Sequence, residues 1–285
     1  YKRQLVILVI VCAIYTFSVY FGMKGVQLSA ATCTWLFFGL LAYVFFFGGQ
    51  TRFIIEEGIT ALGNLTQNFI GLATWTDSLR TSSFPQTWTI FYWAYWMVWC
   101  VAVPFFIGSI SKGRTLRQVI LGGYVFGLSG TFTSFIIMGN YGLGLQMHGK
   151  LDVLSTYAAD GNLYHAILDI LGQLPLSKAV LVLLVLSMIT FYSTSFDSIT
   201  MVASTYTYKE LKSDEEPHRN VKLFWAIFLI LLPLALIFSE NSMSNLQTVS
   251  IIAAFPVGII MLLIITSFFK DADAYLQEQA HNSKS

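Results

Sequence analysis

The sequence predicts an all-α protein that crosses a membrane several times. Three observations carry that prediction. The 285 residues are 55% hydrophobic and 16% aromatic but only 11% charged, and the mean hydropathy is +0.66. Such a chain is a membrane protein, not a soluble domain. Apolar runs of spanning length recur along it. Its basic residues gather in alternate connections between those runs, as cytoplasmic loops require. The net charge of +1 offers nothing to nucleic acid.

Seven runs qualify as spans, at 4–23, 34–50, 88–111, 118–138, 179–203, 223–238 and 246–269. They form one transmembrane domain over 1–270, with a polar tail over 271–285 read as cytoplasmic and frayed after Leu276. The chain opens at Tyr1 and enters a span at once, so it is expected to be the C-terminal portion of a longer protein. The 34–50 run is short and is allowed to extend towards Ile55. The stretch Phe53–Trp75 mixes Glu56, Glu57, Asn64, Gln67 and Asn68 with apolar residues. It reads as a helix end plus an amphipathic segment on the membrane surface. Lys112, Arg114 and Arg117 mark their turn as cytoplasmic. Alternation then places Lys24, Lys209, Lys212, Arg219, Lys222, Lys270 and Lys284 inside too, and leaves the long 139–177 connection outside. That connection is too long to lack structure. Short helices at Leu151–Tyr157 and Leu163–Leu174 are expected, forming a surface cap or a lid. Glu240 starts a short outer turn, and Pro233 and Pro256 are expected to kink the last two helices.

The aromatic stretch from Phe84 to Arg117 organises the rest. It holds Trp88, Trp93, Trp96 and Trp99, and no charge appears from Thr81 to Ser111. At about 100° per residue, Trp88, Tyr92, Tyr95, Trp96 and Trp99 share one helix face. Pro104 and Gly108 are expected to interrupt the helix. Two readings stand for that face. Aromatic stripes pack against neighbouring helices or anchor at the interface, and Trp88 beside Pro85 fits an anchor. An aromatic wall beside broken backbone also suits a cation that lacks N–H donors, because ring faces attract positive charge.

A second constellation lies in 182–208. A greasy run turns hydroxyl-rich at Ser193, Thr194, Ser195, Ser198, Thr200, Ser204 and Thr205, with Asp197 inside it. An ionisable residue within a span marks a functional site by default, and hydroxyl and carbonyl oxygens suit a hard cation. The competing reading is local. Ser and Thr bond the preceding helical turn or join helices, and Asp197 sits near the cytoplasmic end and is hydrated there. Composition does not separate these two. Cys12, Cys33 and Cys100 lie in apolar runs without metal or disulfide spacing, and the four histidines are isolated.

Phe91-Tyr92-Trp93-Ala94-Tyr95-Trp96, followed by Ile110-Ser111-Lys112-Gly113-Arg114-Thr115, resembles the betaine/choline/carnitine transporter family. That family's hallmark is a FYWAWW-type helix ending in an ISRGRT-type cytoplasmic turn. The first Trp of the family's pair is Tyr95 here, and the Pro that follows the last Trp is shifted to Pro104. The resemblance implies a leucine-transporter-like inverted-repeat fold, with the second repeat complete and the first partial. It implies that Phe91, Tyr95, Trp96 and Trp99 line a trimethylammonium site. The sodium-coupled members also carry a Phe-x-x-Thr-Ser-x-Asp-Ser pattern, present here from Phe191 to Ser198. By that resemblance the Phe191 carbonyl and the Thr194 and Ser195 hydroxyls hold a sodium ion, with Asp197 as a possible outer neighbour of the site.

The expected function is therefore uptake or exchange of a quaternary amine such as glycine betaine, choline or carnitine, with lipid and two further copies in a homotrimer as the expected partners. No cofactor is expected beyond sodium as the coupling ion. Sodium-independent carnitine-type exchange and proton-coupled choline uptake are the alternatives. A membrane-embedded enzyme fails for want of paired carboxylates, a His or Cys cluster or a nucleophile–base pair. A channel would need a ring of charges or carbonyls about an axis.

Overall fold

The computed structural model describes residues 2–20, 23–100, 103–210, 215–237 and 242–282, and every regular element among them is helical. In chain order these are α1 (Lys2–Tyr20), α2 (Met23–Phe47), α3 (Thr51–Thr74), a π turn (Pro85–Thr89), α4 (Ile90–Trp99), α5 (Val103–Ile110) and α6 (Leu116–Ser134). A second π turn (Phe135–Gly139) leads into α7 (Asn140–Met147). Then come α8 (Val153–Asp160), α9 (Leu163–Gly172), α10 (Ser177–Tyr206), α11 (Arg219–Ile237) and α12 (Ser242–Asn282). Four helical stretches among the described residues are long and apolar enough to cross a membrane: Gln27–Phe47, Leu116–Met147, Ser177–Tyr206 and Gln247–His281. Of the other runs, 4–23 falls on α1 as far as Tyr20 and 223–238 on α11 as far as Ile237, and 88–111 is split between α4 and α5. The outer turn with Glu240, and Lys212 and Lys284, lie outside the described residues.

The chain divides into two compact units, Tyr1–Thr74 with Ser111–Leu231 and Trp75–Ile110 with Leu232–Ser285. In the first, α10 packs along α2 and α1. Its main core joins Leu40 and Val44 of α2 to Ile54 of α3, Tyr141 and Leu145 of α7, Leu171 of α9 and Val180 of α10. A smaller cluster joins Cys12 and Tyr15 of α1 to Ala226 of α11 and Phe196 of α10. There the buried Tyr15 hydroxyl donates to the Ala226 carbonyl. The start of α11 is stitched down by charge and aromatic contacts. Arg219 lies over the Tyr20 ring at 5.3 Å, Lys222 is buried and paired with Glu216 at 3.0 Å, and Trp225 Nε1 donates to Thr207 Oγ1 at 2.7 Å.

Several sequence expectations change here. The 34–50 run does not reach Ile55. Its helix stops at Phe47, Gly49 takes a left-handed φ of 68°, and α3 starts afresh at Thr51. The Phe53–Trp75 stretch is helical from Thr51 to Thr74, with a non-helical residue only at Asn68. It buries Ile54 and Gly58 on one face, as an amphipathic segment does. The 139–177 connection begins as helix, because α6 continues through its π turn into α7. Tyr141 and Leu145, one turn apart, are 1% and 2% exposed, and that packing outweighs the weak helix propensity of Gly142 and Gly144. Both glycines serve close approach. A Cβ at Gly142 would meet Ile170 at 3.2 Å, and one at Gly144 would meet Phe53 at 3.0 Å. The two expected short helices are present as α8 and α9. Asp152 caps the first through Ser155 N at 3.1 Å, and Asn162 caps the second through Tyr164 N at 3.0 Å. Leu171 and the Ile170–Gly142 contact seat α9 on the core.

The tail is helical through Asn282, well past Leu276. Residues 270–282 contain no Gly or Pro, and Gln279 Nε2 donates to Tyr275 Oη one turn back at 2.8 Å. Helix α12 also passes through Pro256.

Candidate functional site

The aromatic helix belongs to the second unit. A tight loop leads into it. Asp77 adopts a left-handed φ of 45°, as do Arg80 at 51° and Ser83 at 54°. The Asp77 carboxylate accepts from the backbone N–H groups of Thr81 at 3.1 Å, Ser82 at 2.9 Å and Ser83 at 2.9 Å. The hydroxyls of Thr81 and Ser82 add to these at 2.9 and 3.1 Å. The Ser82 amide above all holds this carboxyl well below the usual carboxylate range. Gln86 Nε2 donates back to the Thr76 carbonyl at 2.9 Å, so both ends of the loop are tied. Pro85 then opens the π turn that carries Trp88.

From Trp88 the rings form one connected wall. Trp88 stacks on Tyr92 with centroids 6.2 Å apart. Phe91 touches Tyr92 at 5.6 Å and Tyr95 at 5.8 Å. Tyr95 meets Trp96 edge-on at 5.9 Å and Trp99 at 6.0 Å. All four residues expected to line a substrate site, Phe91, Tyr95, Trp96 and Trp99, are therefore brought together through Tyr95. Trp88 joins the same wall through Tyr92. The helix packs on α12. Its Ala94 is buried, and Met97 Sδ lies 3.9 Å from the position of a Cβ on Gly258 of α12. The packed edge of α4 thus includes Ala94 and Met97, while Trp96 stays 63% exposed.

The helix stops at Trp99, where the Cys100 N–H turns back to the Met97 carbonyl. Helix α5 restarts at Val103 with Pro104 in its first turn, where the missing N–H costs nothing. Gly108 lies inside α5 and interrupts nothing. After α5, Gly113 takes a left-handed φ of 80°, and Thr115 forms a capping box. Gln118 N donates to Thr115 Oγ1 at 3.2 Å, and Thr115 N donates to Gln118 Oε1 at 3.0 Å. The Gly-Arg-Thr signature is thus a turn and a helix start.

The second set lies on α10, in the first unit. The Phe191 carbonyl accepts from Thr194 Oγ1 at 2.9 Å and from Ser195 Oγ at 3.2 Å. The three expected ion ligands thus converge on one helical turn. Phe191 is 45% exposed. Asp197 follows Thr194 by three residues, about 60° from it round the helix, and shares a face with Ser193, Thr200 and Ser204. Those four are fully buried, and Ser193 Oγ and Thr200 Oγ1 have no hydrogen-bond partner among the described residues. Sequence reasoning read α2 as a span but named none of its residues beside this set, yet its Phe37 meets Phe191 edge-on at 5.3 Å. The two residues are remote in sequence and share no motif that would have paired them.

Residues 2–277 match a family described as the betaine/carnitine/choline family transporter, BCCT. The chain belongs to the BCCT family. A carnitine transporter of Acinetobacter baumannii is 29% identical over 265 residues, covering 92% of this chain and 48% of that protein. The uncharacterized transporter YeaV of Escherichia coli is 28% identical over 258 residues, covering 90% of this chain and 53% of that protein. The Bacillus subtilis glycine betaine transporter OpuD is 30% identical over 273 residues, covering 94% of this chain and 51% of that protein. The chain spans about half the length of these curated relatives. Membership in BCCT makes it an integral membrane protein of a transporter family, and the enzyme reading falls.

Proposed function

We propose that the full-length protein is a secondary active transporter of a quaternary trimethylammonium compound, such as glycine betaine, choline or carnitine. The observation that carries this is the ring wall of Phe91, Tyr95, Trp96 and Trp99 on a helix edge other than that of Ala94 and Met97. A trimethylammonium group has no N–H to donate. It is held by ring quadrupoles and desolvation, at about 2 kcal/mol per well-desolvated contact. The relatives named for carnitine and glycine betaine fit this substrate class. Counterflow in liposomes with the full-length protein and labelled quaternary amines tests it. Exchange of none of glycine betaine, choline and carnitine would sink the reading.

Sodium is the coupling ion in this proposal. The support is the oxygen set of Phe191, Thr194 and Ser195 on one exposed turn. A hydroxyl that donates to a carbonyl keeps its lone pairs for a cation. Sodium-independent carnitine-type exchange and proton-coupled choline uptake are the competing modes, and uptake in sodium-free potassium buffer separates them from sodium coupling. The architecture that goes with the proposal is an inverted repeat, complete in its second half and partial in its first. One transport domain spans 1–270, the tail 271–285 is cytoplasmic, and the working assembly is a homotrimer.

A further inference from the structure

Helix α10 carries a file of polar residues along one side. Ser193, Asp197, Thr200 and Ser204 are each 0% exposed. Spaced three or four residues apart, each is the next one's neighbour on a single helix face. The file runs roughly 16 Å, from the middle of α10 to its last turn before Tyr206. The opposite side is open, with Met188 58% exposed and Ser195 exposed as well. Helices α1 and α2 pack along α10 and against each other. The Tyr15 ring of α1 lies 5.4 Å from that of Phe196, the residue beside Asp197.

Serine and threonine inside a helix return their hydroxyls to the preceding turn. Ser187, Thr190, Ser198, Ser204 and Thr205 of α10 all do so. Ser193 and Thr200, which flank Asp197 on either side, do not. Their oxygens have no hydrogen-bond partner among the described residues. A buried hydroxyl without a partner is costly, and two of them beside a buried carboxyl mark a place that holds an occupant. A hard cation takes its oxygens at no more than about 2.6 Å. One such ion does not reach both Ser193 and Thr200, which stand about 10 Å apart along the axis. A proton needs one acceptor at a time, and a hydroxyl both accepts and donates.

Asp197 is the one carboxyl buried on α1, α2, α10 and α11 among the described residues. The other buried titratable groups on the packed helices are Cys12 and Tyr15 of α1, Cys33 of α2 and Lys222 of α11. Tyr15 gives its hydroxyl to the Ala226 carbonyl, and Lys222 pairs with Glu216 at 3.0 Å. Helix α9 meets the other end of α10, through Leu171 and Val180.

We infer that Asp197 is a proton-binding site whose proton travels with the amine. It is reached from the C-terminal end of α10 through the hydroxyls of Ser204 and Thr200, and held on its far side by that of Ser193. A carboxylate oxygen of Asp197 gains the proton. Each hydroxyl on the way accepts one proton and gives up another, so none is consumed. Protonation removes a charge that is expensive to bury in a span. The coupling rests on the transport reading above, and sodium at the Phe191, Thr194 and Ser195 oxygens is neither required by it nor displaced.

The test uses the full-length protein in liposomes. Infrared difference spectra are recorded as the buffer is stepped from alkaline to acid. Wild type should gain a carboxylic-acid carbonyl band that Asp197→Asn lacks. Ser193→Ala and Thr200→Val keep the carboxyl and remove a hydroxyl beside it, so each should shift that band. They decide the matter if Asp197→Asn does not fold. A wild-type spectrum matched by Asp197→Asn, or a band unmoved in both hydroxyl variants, overturns the inference. So does a carboxyl signal that answers to sodium in place of potassium and not to pH, because the occupant is then the metal ion. Liposomes loaded with a pH-sensitive dye and given labelled glycine betaine, choline or carnitine read the coupling. Wild-type uptake should carry protons inward, and Asp197→Asn should lose that proton flux. Amine uptake without proton flux overturns the coupling. Uptake of none of the three amines sinks the transport reading instead, and the spectra then judge the proton site by themselves.

Discussion

Gly58 of α3 lies against Ile136 of the second π turn so closely that a Cβ on Gly58 would stand 2.6 Å from Ile136 Cγ2. The branched side chain cannot yield without moving backbone. Gly58→Ala should therefore destabilise the protein by about 1–3 kcal/mol, the usual cost of overpacking. Gly63, on the same helix, has nothing within 4 Å of its Cβ position. Gly63→Ala should be neutral or stabilise by up to about 1 kcal/mol, because alanine is the better helix former. Thermal unfolding of the two variants in detergent compares them directly. Equal behaviour would show that α3 and the π turn are not in contact.

The ring wall predicts a graded response in substrate binding. Trp96→Leu should weaken quaternary-amine binding about tenfold or more, since a desolvated cation–π contact is worth about 2 kcal/mol and each tenfold is about 1.4 kcal/mol. Trp96→Phe should cost less. Trp88→Leu is the control, because Trp88 reaches Tyr95 only through Tyr92 and Phe91. Calorimetry on the full-length protein makes the comparison. A larger loss for Trp88 than for Trp96 would show that the wall is packing.

Sodium dependence should follow the α10 turn. Thr194→Ala and Ser195→Ala should each raise the sodium requirement, because each removes one oxygen from the set around the Phe191 carbonyl. Asp197→Asn should lower stability, because its side chain is fully buried. Uptake assays over a sodium range read the first two variants and thermal unfolding reads the third. An unchanged sodium requirement in both Thr194→Ala and Ser195→Ala would remove this turn from the ion site.

The Asp77 loop makes a prediction with a pH sign. Its carboxyl is held well below the usual range by the amides of Ser82, Thr81 and Ser83. A depressed folded-state value means the stabilising contribution is complete above the ordinary aspartate value of about 4. It drains away as pH falls from there towards the folded-state value. Asp77→Ala should loosen residues 75–84 at neutral pH, and the gap from wild type should begin to narrow once pH falls below about 4. Amide exchange across the loop at pH 7 and pH 3 reads both parts.

Orientation is testable with exposed positions beside the turns. Gly113 and Gly149 adopt left-handed φ values of 80° and 64°, so a cysteine at either would be strained. Lys112 and Lys150 are exposed neighbours. Lys112→Cys should be labelled only from the cytoplasm and Lys150→Cys only from outside. Labelling of both from one side would overturn the topology.

Much of this was legible in the chain because it depends on local pattern. Hydropathy marked the helices. The spacing of Trp88, Tyr92, Tyr95, Trp96 and Trp99 marked a common face, and their rings do connect. The run from Phe191 to Ser198 marked the turn on which one carbonyl accepts two hydroxyls. Helix ends were read less well. Tyr141 and Leu145 carry α7 past Met138 because of burial in a core assembled from α2, α3, α9 and α10. No window around residue 140 contains that information.

The sequence by itself determined the helical membrane class, the family and the angular relation of side chains within each helix, since periodicity sets which residues share a face. Only the tertiary structure decided which way each face points, because rotation about the helix axis depends on partners distant in sequence. Thus Ala94 and Met97 lie on the α4 edge packed against α12, Asp197 shares a buried face of α10 with Ser193, Thr200 and Ser204, and Phe37 of α2 meets the ring of Phe191.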